Sequence, residues 1–461
     1  MPAARPFTRL VLPVALALLG AALTSSARAT PVPVAIPASA ATFASSNVHH
    51  LGTIPLDGSG VSMRIVKVGA QVRAFVSGTA GLSIYDATDP ATPTLLGHLP
   101  IYNWENEDIA VSQDGSTAIL TEFDGQLYLH VIDVSNPLLP TLKGTLPLQA
   151  SHTAECADRH CNYLFGSEGQ TFDIRDRAHP TQLATGWGDL TGAGRGHNLH
   201  QDAAGIWTSD TDPLVVFKET PDPLHLTVLT HGPISLNTAY QHNNIRPRAN
   251  RYHPRMPGES LGGPLRPGEL LLGEGETNEQ PSCSGGSGAF ATWSMAGFDR
   301  GVPMQQLHVL RPVQGTYADG NAAVNALGCS GHWFSQKDAR DGSILVAAAW
   351  YEHGTRFLKV NPRTGTIGQV GWFQPVRGST SAAYWFPGTD YVWSVDYHSG
   401  IDILRFDQAA AIPTVAQTNA SWLAVGQDAF SSALRQLCRA GARATAVDHA
   451  RVSAAFTHLH L

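Results

Sequence analysis

The sequence is poor in charge, and especially in positive charge. Only 15% of its 461 residues are charged, with 30 Lys and Arg against 37 Asp and Glu. A surface that binds a polyanion needs an excess of basic residues, so we expect no nucleic-acid partner. Few charges beside 45 Gly and 30 Pro also argue against a helical protein, because this composition suits short strands and tight turns.

Long apolar runs are also lacking, except near the N-terminus. Residues 10–23 are apolar, follow Arg5 and Arg9 and precede the small-residue sequence Ala27-Arg28-Ala29, a pattern typical of a secretory signal peptide. The run is short for a transmembrane helix, which is the weaker alternative. We therefore expect residues 1–29 to be cleaved after Ala29, and the mature protein to be secreted or at the cell surface, without a membrane span.

What the sequence does contain is an internal repeat. The segment Gly81-Leu-Ser-Ile-Tyr-Asp86 returns as Leu129-His-Val-Ile-Asp133 and, more altered, as Thr171-Phe-Asp-Ile-Arg-Asp176. The three final Asp residues lie 47 and then 43 positions apart, a period typical of propeller blades rather than of helical solenoids. Each copy combines a strand of alternating apolar residues, an Asp or Asn turn and a Pro that ends the pairing.

These copies resemble the repeats of the LVIVD-repeat family, which comprises secreted or surface proteins. Two copies match well, and the others match in spacing more than in sequence. The resemblance implies a β-propeller fold. It implies no particular chemistry, because the family is defined by its repeat.

Seven copies of the repeat can be counted. Their marker strands lie near 81–86, 127–133, 171–176, 214–218, 291–299, 357–361 and 400–406. The seventh copy lacks a last strand, whereas an extra strand at 48–56 precedes the first copy. We therefore predict an all-β fold, a seven-bladed propeller over 47–410 in which 48–56 pairs with 400–406 and closes the ring.

The segments outside the repeats are expected to be irregular. We predict a linker at 30–46 and a helical or disordered tail at 411–461. Insertions at 246–268 and 275–290 enlarge the fifth blade and are expected to be loops, because they are rich in Gly, Pro and Arg.

Cysteine is scarce, and the five residues all follow the predicted cleavage site. An exported chain favours disulfides. We predict a Cys156–Cys161 bond across a hairpin of blade three, with a metal knot as the alternative. We also predict a Cys283–Cys329 bond between loops on one face of neighbouring blades, which leaves Cys438 free.

The sharpest functional prediction concerns the mouth of the propeller channel. The innermost strand of each blade lines the channel, so the residues that open these strands should ring its mouth. They are Ser62, Asp108, His152, His197, His242, His332 and Ser381. Imidazoles beside carboxylates suit zinc, copper, iron or manganese. We predict that the four histidines, from four consecutive blades, hold one divalent transition metal.

Acidic residues at the ends of the second strands are expected on the same face. They are Glu122, Glu168, Asp210, Glu274, Glu352 and Asp396. The residues expected to assist a metal or to bind a ligand are Asp108, Glu168, Asp210, Glu352, Asp396 and Trp333. The alternative is a purely structural ring, because repeats also copy His and Asp as groups that hydrogen-bond neighbouring loops.

Three functions from different classes follow, of which the third is a structural surface protein whose partner is cell wall or another exported protein. The first is an exported propeller, expected to be a monomer, whose top face binds an extracellular ligand or protein. The second is a metal-dependent enzyme with a His and carboxylate site at the channel mouth. A convergence of titratable groups in one pocket would favour the enzyme, whereas a broad apolar patch would favour the interaction module.

Overall fold

The fold is a seven-bladed β-propeller. A computed structural model describes residues 30–34, 42–122, 127–148, 152–193, 196–211, 213–220, 222, 224–232, 240–276, 288–312, 329–375, 378–398 and 400–410. Within these residues, seven antiparallel sheets of four or five strands follow one another along the chain. The innermost strands of successive sheets contact each other around the ring. The prediction of an all-β, seven-bladed propeller is therefore confirmed.

Each blade takes its strands from one stretch of sequence, ordered from the channel outwards, except for three N-terminal strands. The N-terminal strands are β1 (Val32–Pro33), β2 (Thr42–Ala44) and β3 (Val48–Ile54). Blades one to four contain β4 (Gly60–Val68), β5 (Gln71–Gly78), β6 (Gly81–Asp86) and β7 (Thr94–Leu99); β8 (Ala110–Val111), β9 (Thr117–Glu122), β10 (Tyr128–Asp133) and β11 (Thr141–Pro147); β12 (Ala154–Cys156), β13 (Tyr163–Gly166), β14 (Thr171–Asp173) and β15 (Thr181–Gln182); and β16 (Gly196–Gln201), β17 (Ile206–Thr211), β18 (Val215–Glu219) and β19 (Leu226–His231). Blades five to seven contain β20 (Tyr240–Ile245), β21 (Leu270–Glu276), β22 (Phe290–Ser294) and β23 (Gln305–Leu310); β24 (Phe334–Asp338), β25 (Ile344–Ala349), β26 (Thr355–Val360) and β27 (Ile367–Pro375); and β28 (Thr380–Trp385), β29 (Tyr391–Asp396) and β30 (Gly400–Phe406).

The ring is closed by the N-terminal strand β3. It pairs antiparallel with β30, from Val48 opposite Phe406 to Ile54 opposite Ile401. Val48 and Ile54 are buried, so the strand adds to the core as well as to the sheet. The predicted closure is confirmed, and it removes the open edge that blade seven would otherwise present.

Residues 30–46 were expected to be a linker, but their described part contains two more strands. β1 pairs with β7 at the outer edge of blade one, and β2 pairs with β27 at the outer edge of blade six. An outer strand presents unpaired N–H and C=O groups, so a passing segment of chain can satisfy them. This backbone pairing needs no side-chain pattern and leaves little trace in the sequence.

The core lies between neighbouring sheets. Large aromatic side chains fill it, and six fully buried tryptophans are Trp104, Trp187, Trp207, Trp293, Trp350 and Trp393. Between blades five and six, for example, the rings of Phe290 and Phe334 meet edge to face at 5.0 Å. Such packing buries much apolar area and fixes the rotation of each blade relative to the next. The inner strands are thereby held at set positions around the channel.

The predicted Cys156–Cys161 disulfide is present and joins the end of β12 to the turn that precedes β13 in blade three, with a Cα–Cα distance of 4.6 Å. Cys329 is also disulfide-bonded. Its predicted partner Cys283 lies outside the described residues, as does Cys438, so that pairing stays a prediction.

Helix is rare in the described residues. A short helix α1 (Trp187–Thr191) follows blade three, and single 3-10 turns occur at Ala249–Arg251 and Phe298–Arg300. No helix in the described ranges has the length and apolar character needed to cross a membrane. The insertion at 246–268 contains only the first of these turns and is a loop, as expected. The tail 411–461 and the segment 1–29 lie outside the described residues.

Candidate metal centre

The residues that open the inner strands form a hydrogen-bonded ring around the channel. Between most blades a side chain contacts the opening segment of the next blade, at the face where the inner strands begin (the top face). Between blades four and five the contact lies further along the strands, at Asn244 of β20. The contacts run from Ser62 Oγ to Asn106 O (2.7 Å), Thr121 Oγ1 to His152 O (2.6 Å), Thr153 Oγ1 to His197 O (3.2 Å), Thr208 Oγ1 to the Asn244 side chain, His242 Nδ1 to His332 O (2.9 Å), His332 Nδ1 to Ser381 O (2.6 Å) and Ser381 Oγ to Val61 O (2.6 Å).

The four predicted histidines lie side by side in this ring. The ring centroids are 4.6 Å apart for His152 and His197, 4.0 Å for His197 and His242, and 4.2 Å for His242 and His332. His242 and His332 are fully buried, and His152 is 7% exposed. The structure therefore brings together side chains that span 181 positions of sequence, because each opens the inner strand of its own blade.

The orientation of two imidazoles follows from their Nδ1 contacts. Nδ1 of His242 faces the carbonyl oxygen of His332, and Nδ1 of His332 faces the carbonyl oxygen of Ser381. A carbonyl oxygen only accepts, so both Nδ1 atoms carry a hydrogen. The Nε2 atoms are consequently directed toward the channel axis, an arrangement that metal-binding histidines commonly show.

A carboxylate that the sequence analysis missed lies among these Nε2 atoms. Glu107 Oε2 is 3.0 Å from His242 Nε2 and 3.3 Å from His197 Nε2, and Glu107 Oε1 is 3.1 Å from His332 Nε2. The indole N–H of Trp333 donates to Oε2 at 3.3 Å. Glu107 is 2% exposed and reaches the axis from the segment that enters blade two.

Three groups of possible metal ligands result among the described residues. In each group one atom per residue lies within 4.8 Å of the others. The groups are Glu107, His242 and His332; Glu107, His152 and His197; and His197, His242 and Glu276. Because they share members, they form one cluster, which we call the His–Glu cluster: His152, His197, His242, His332, Glu107 and Glu276.

The charges within the His–Glu cluster are strongly coupled. Burial favours the neutral form of Glu107, but the neighbouring imidazoles, His332 first, hold the pKa of this carboxyl well below 4.5. Burial also disfavours charge on His332, yet the Glu107 carboxylate outweighs it and raises the pKa of His332. Burial and His332 lower the pKa of His242 to about 4. The cluster thus favours a protonated His332 that pairs with the Glu107 carboxylate, beside a neutral His242.

Tyr351 borders the His–Glu cluster beside its member Glu276, on the side of blades five and six. The Tyr351 hydroxyl donates to Glu276 Oε1, and the Tyr351 ring lies 4.7 Å from that of His332. Burial raises the pKa of Glu276 to about 7. Tyr351 has a backbone φ of 38°, a left-handed conformation that costs a non-glycine residue free energy and often marks a functional site.

The other predicted residues lie elsewhere, apart from Trp333, which contacts Glu107. Glu122 lies 3.3 Å from His130, Asp210 accepts from Asn244, and Asp396 accepts from the His398 N–H at 2.8 Å. Glu274 is fully buried against Gly331. Glu168 and Glu352 are in none of the three ligand groups found in the described residues.

Asp108 belongs to a second polar layer of the channel. Arg64 Nη1 lies 2.7 Å from Glu155 Oε1 and 3.4 Å from Asp108 Oδ1. Burial and the adjacent Glu155 charge raise the pKa of Asp108 well above 3.8, against the effect of Arg64. On balance these neighbours favour the protonated form of Asp108, which is in none of the three ligand groups found among the described residues.

Comparison with known proteins identifies the fold and no activity. No protein-family model and no curated protein matches the sequence. The β-propeller domain of Cps50 (Swd1) from Myceliophteria thermophila matches with a TM-score of 0.50 and 10% identity, covering 76% of this chain and 98% of that one. A "putative 6-phosphogluconolactonase" from Bacteroides fragilis matches with a TM-score of 0.50 and 12% identity, covering 77% and 93%. At such identities the likeness is one of fold alone, and the resemblance to the LVIVD-repeat family stays a prediction.

Proposed function

We propose that this protein binds one divalent transition metal at the mouth of its channel and acts as a metal-dependent enzyme there. The ligands would come from His152, His197, His242, His332 and Glu107. The proposal rests on one observation, which is that imidazole Nε2 atoms from three blades converge on a single buried carboxylate.

Hydrogen bonds alone poorly satisfy the imidazole Nε2 atoms and the Glu107 oxygens that meet here. The neutral His242 carries its hydrogen on Nδ1, so its Nε2 lone pair faces Glu107 Oε2 at 3.0 Å. Two electron-rich atoms repel each other at this distance unless a cation lies between or beside them. The proton on His332 serves Oε1, whereas Oε2 also faces His197. A divalent cation would attract all of these atoms together.

The donor set favours a particular class of metal. Magnesium and calcium prefer shells of oxygen atoms, whereas imidazole nitrogen suits zinc, copper, iron and nickel. The Nδ1 hydrogen bonds of His242 and His332 to backbone carbonyls would hold the ligands in place. A metal of this class would supply a Lewis acid or a redox centre.

Glu276 and Tyr351 are placed to assist such a centre. Glu276 Oε2 lies 3.7 Å from His242 Nε2, and Tyr351 donates a hydrogen bond to the same carboxyl group. A carboxyl and a phenol at this position can exchange protons with a substrate bound at the top face.

We further propose that the protein is exported and meets an extracellular ligand at its top face. The signal-peptide pattern of residues 1–29 supports export, and the Cys156–Cys161 disulfide is compatible with an oxidising compartment. The interaction-module function is compatible with the propeller fold, and the titratable residues of the His–Glu cluster favour the enzyme over it.

Metal content tests the proposal directly. The mature protein, purified without a histidine tag or chelators, should contain about one equivalent of metal by mass spectrometry. His242→Ala and His332→Ala should lose most of it while keeping the far-UV circular dichroism of the wild type. His130→Ala is the matched control, because His130 is buried beside Glu122 but lies outside the cluster.

The protein should also respond to metal removal. A chelator should lower the thermal unfolding midpoint, and the removed metal should restore it, because a ligand that binds only the folded state stabilises that state. Absence of stoichiometric metal, both as purified and after incubation with zinc, copper, iron, nickel or manganese, would refute the proposal.

A further inference from the structure

Arg356 is a buried cation without a counterion among the described residues. It lies in β26 of blade six, and its side chain is fully buried. Within the same residues, none of its three guanidinium nitrogens has a hydrogen-bond partner. In the described part of the chain no carboxylate lies within ion-pair distance of it, and burial is the sole cause of its pKa shift.

Other buried arginines of the same molecule are paired. Arg255 donates to both carboxylate oxygens of Glu269, at 2.6 and 2.5 Å, and Arg246 lies 2.7 Å from Asp202. Burial lowers the pKa of Arg356 to about 9, so the group is still charged near neutral pH. An unpaired charge in the interior strongly destabilises a protein, and its retention therefore calls for a partner that is not among the described residues.

The surroundings of Arg356 suit a small ligand. Strand register places Arg356 opposite Ala348 and Trp372, on the face of blade six that packs against blade five. The guanidinium carbon lies 5.8 Å from the centre of the Trp372 ring. Trp350 belongs to the same face, and its indole N–H is buried with no acceptor in the part of the chain that the structure describes. Two unused donors thus lie among aromatic walls, as in many ligand sites.

We propose that Arg356 binds an oxyanion group, such as a carboxylate, of a ligand that enters from the top face. A guanidinium presents parallel N–H groups that match the two oxygens of such an anion. Arg356 follows the hairpin that contains Tyr351, whose ring contacts His332. The site therefore lies at the same face as the His–Glu cluster. It goes beyond the metal proposal and does not depend on it.

Thermal unfolding in different sodium salts tests the site. Acetate, phosphate and sulfate are compared with chloride at equal ionic strength, which separates carboxylate from phosphate and sulfate recognition. At least one oxyanion should raise the unfolding midpoint of the wild type saturably, because it binds the folded state. Arg356→Met should abolish this rise. In chloride it should also unfold at a higher temperature than the wild type, since it removes an unpaired buried charge.

Arg255→Met is the matched control, because it breaks a buried ion pair. It should unfold at a lower temperature and should keep the oxyanion response. If Arg356→Met does not fold, Arg356→Lys keeps the charge but loses the parallel N–H groups, and should need a higher oxyanion concentration for the same rise. An equal oxyanion response in the wild type and the Arg356 variant, or no response in the wild type, would overturn the proposal.

Discussion

Asp210 offers a quantitative test of the electrostatics between blades four and five. Its carboxyl is 3% exposed and accepts one hydrogen bond from Asn244, at 2.5 Å, while Oδ2 has no partner among the described residues. Burial raises the pKa of Asp210 from 3.8 to about 8, although the Asn244 hydrogen bond opposes the shift. The side chain is therefore neutral in the folded protein over a range in which it is ionised in the unfolded chain.

The sign of the pH effect follows from this difference. Between pH 4 and pH 8 the unfolded chain has released the Asp210 proton and the folded protein retains it. The folded state thus loses about 1.4 kcal/mol of stability for each pH unit through this group alone. Asp210→Asn removes the titration and keeps an oxygen that accepts from Asn244. The variant should match the wild type near pH 4 and exceed its free energy of unfolding by up to about 4 kcal/mol at pH 7.

Urea unfolding followed by tryptophan fluorescence at several pH values measures the difference. Asp402→Asn is the control, because Asp402 is equally buried but accepts hydrogen bonds from Thr53 at 2.6 Å and from His50 at 2.9 Å. It should lose about 1–3 kcal/mol, since charged hydrogen bonds are weakened. A gain for Asp210→Asn that does not change between pH 4 and pH 7, or no gain at all, would refute the reasoning.

Two more predictions concern the closure and the crosslink of the ring. Deleting residues 30–56 removes β3, so that β30 becomes an exposed edge and the variant should form multimers. Size-exclusion chromatography with light scattering measures this, and a monomer of unchanged stability would contradict the closure. Replacing Cys156 and Cys161 by Ser should lower the free energy of unfolding, measured by urea unfolding, by only about 2 kcal/mol, because the loop that the disulfide closes is short. A complete loss of folding would be inconsistent with this estimate.

The fold was predictable because the repeat is visible in the sequence. A strand that is surplus at one end of the chain and missing at the other is enough to imply the β3–β30 pairing. The strands β1 and β2 could not be predicted in the same way. They attach to outer edges through backbone hydrogen bonds, and such pairing places few demands on side chains.

The site was predictable in part, for a geometric reason. The histidines occupy equivalent opening positions, so blade symmetry alone brings them to one axis. Glu107 escaped prediction because the inner strand of blade two is only Ala110–Val111. The preceding segment is irregular, with Glu105 at a φ of 57°, and a shift of one residue exchanges Glu107 for Asp108. The dense acidic segment from Glu105 to Asp108 was the available indication.

Glu276 was missed for a simpler reason. The expected acidic residue of blade five was Glu274, but β21 continues to Glu276 on the same face. Two residues of extended chain separate the interior of the blade interface from the channel mouth. Strand ends are the least certain feature of a sequence pattern. An acidic residue was therefore correctly expected at the end of this strand, but two positions before the one that reaches the cluster.

The hydrogen bonds between blades distinguish two possible roles of the histidines, one structural and one chemical. Ser62 and Ser381 connect one blade to the next through a hydroxyl group, so the ring itself requires only a small donor. An imidazole at the same position supplies that donor through Nδ1, and it also places a second nitrogen in a buried site. Burial of that nitrogen has a cost unless it is paired. His recurs over four consecutive blades, and the Nε2 atoms of His197, His242 and His332 meet at Glu107. This convergence therefore indicates a role for the second nitrogen that ring closure alone does not provide.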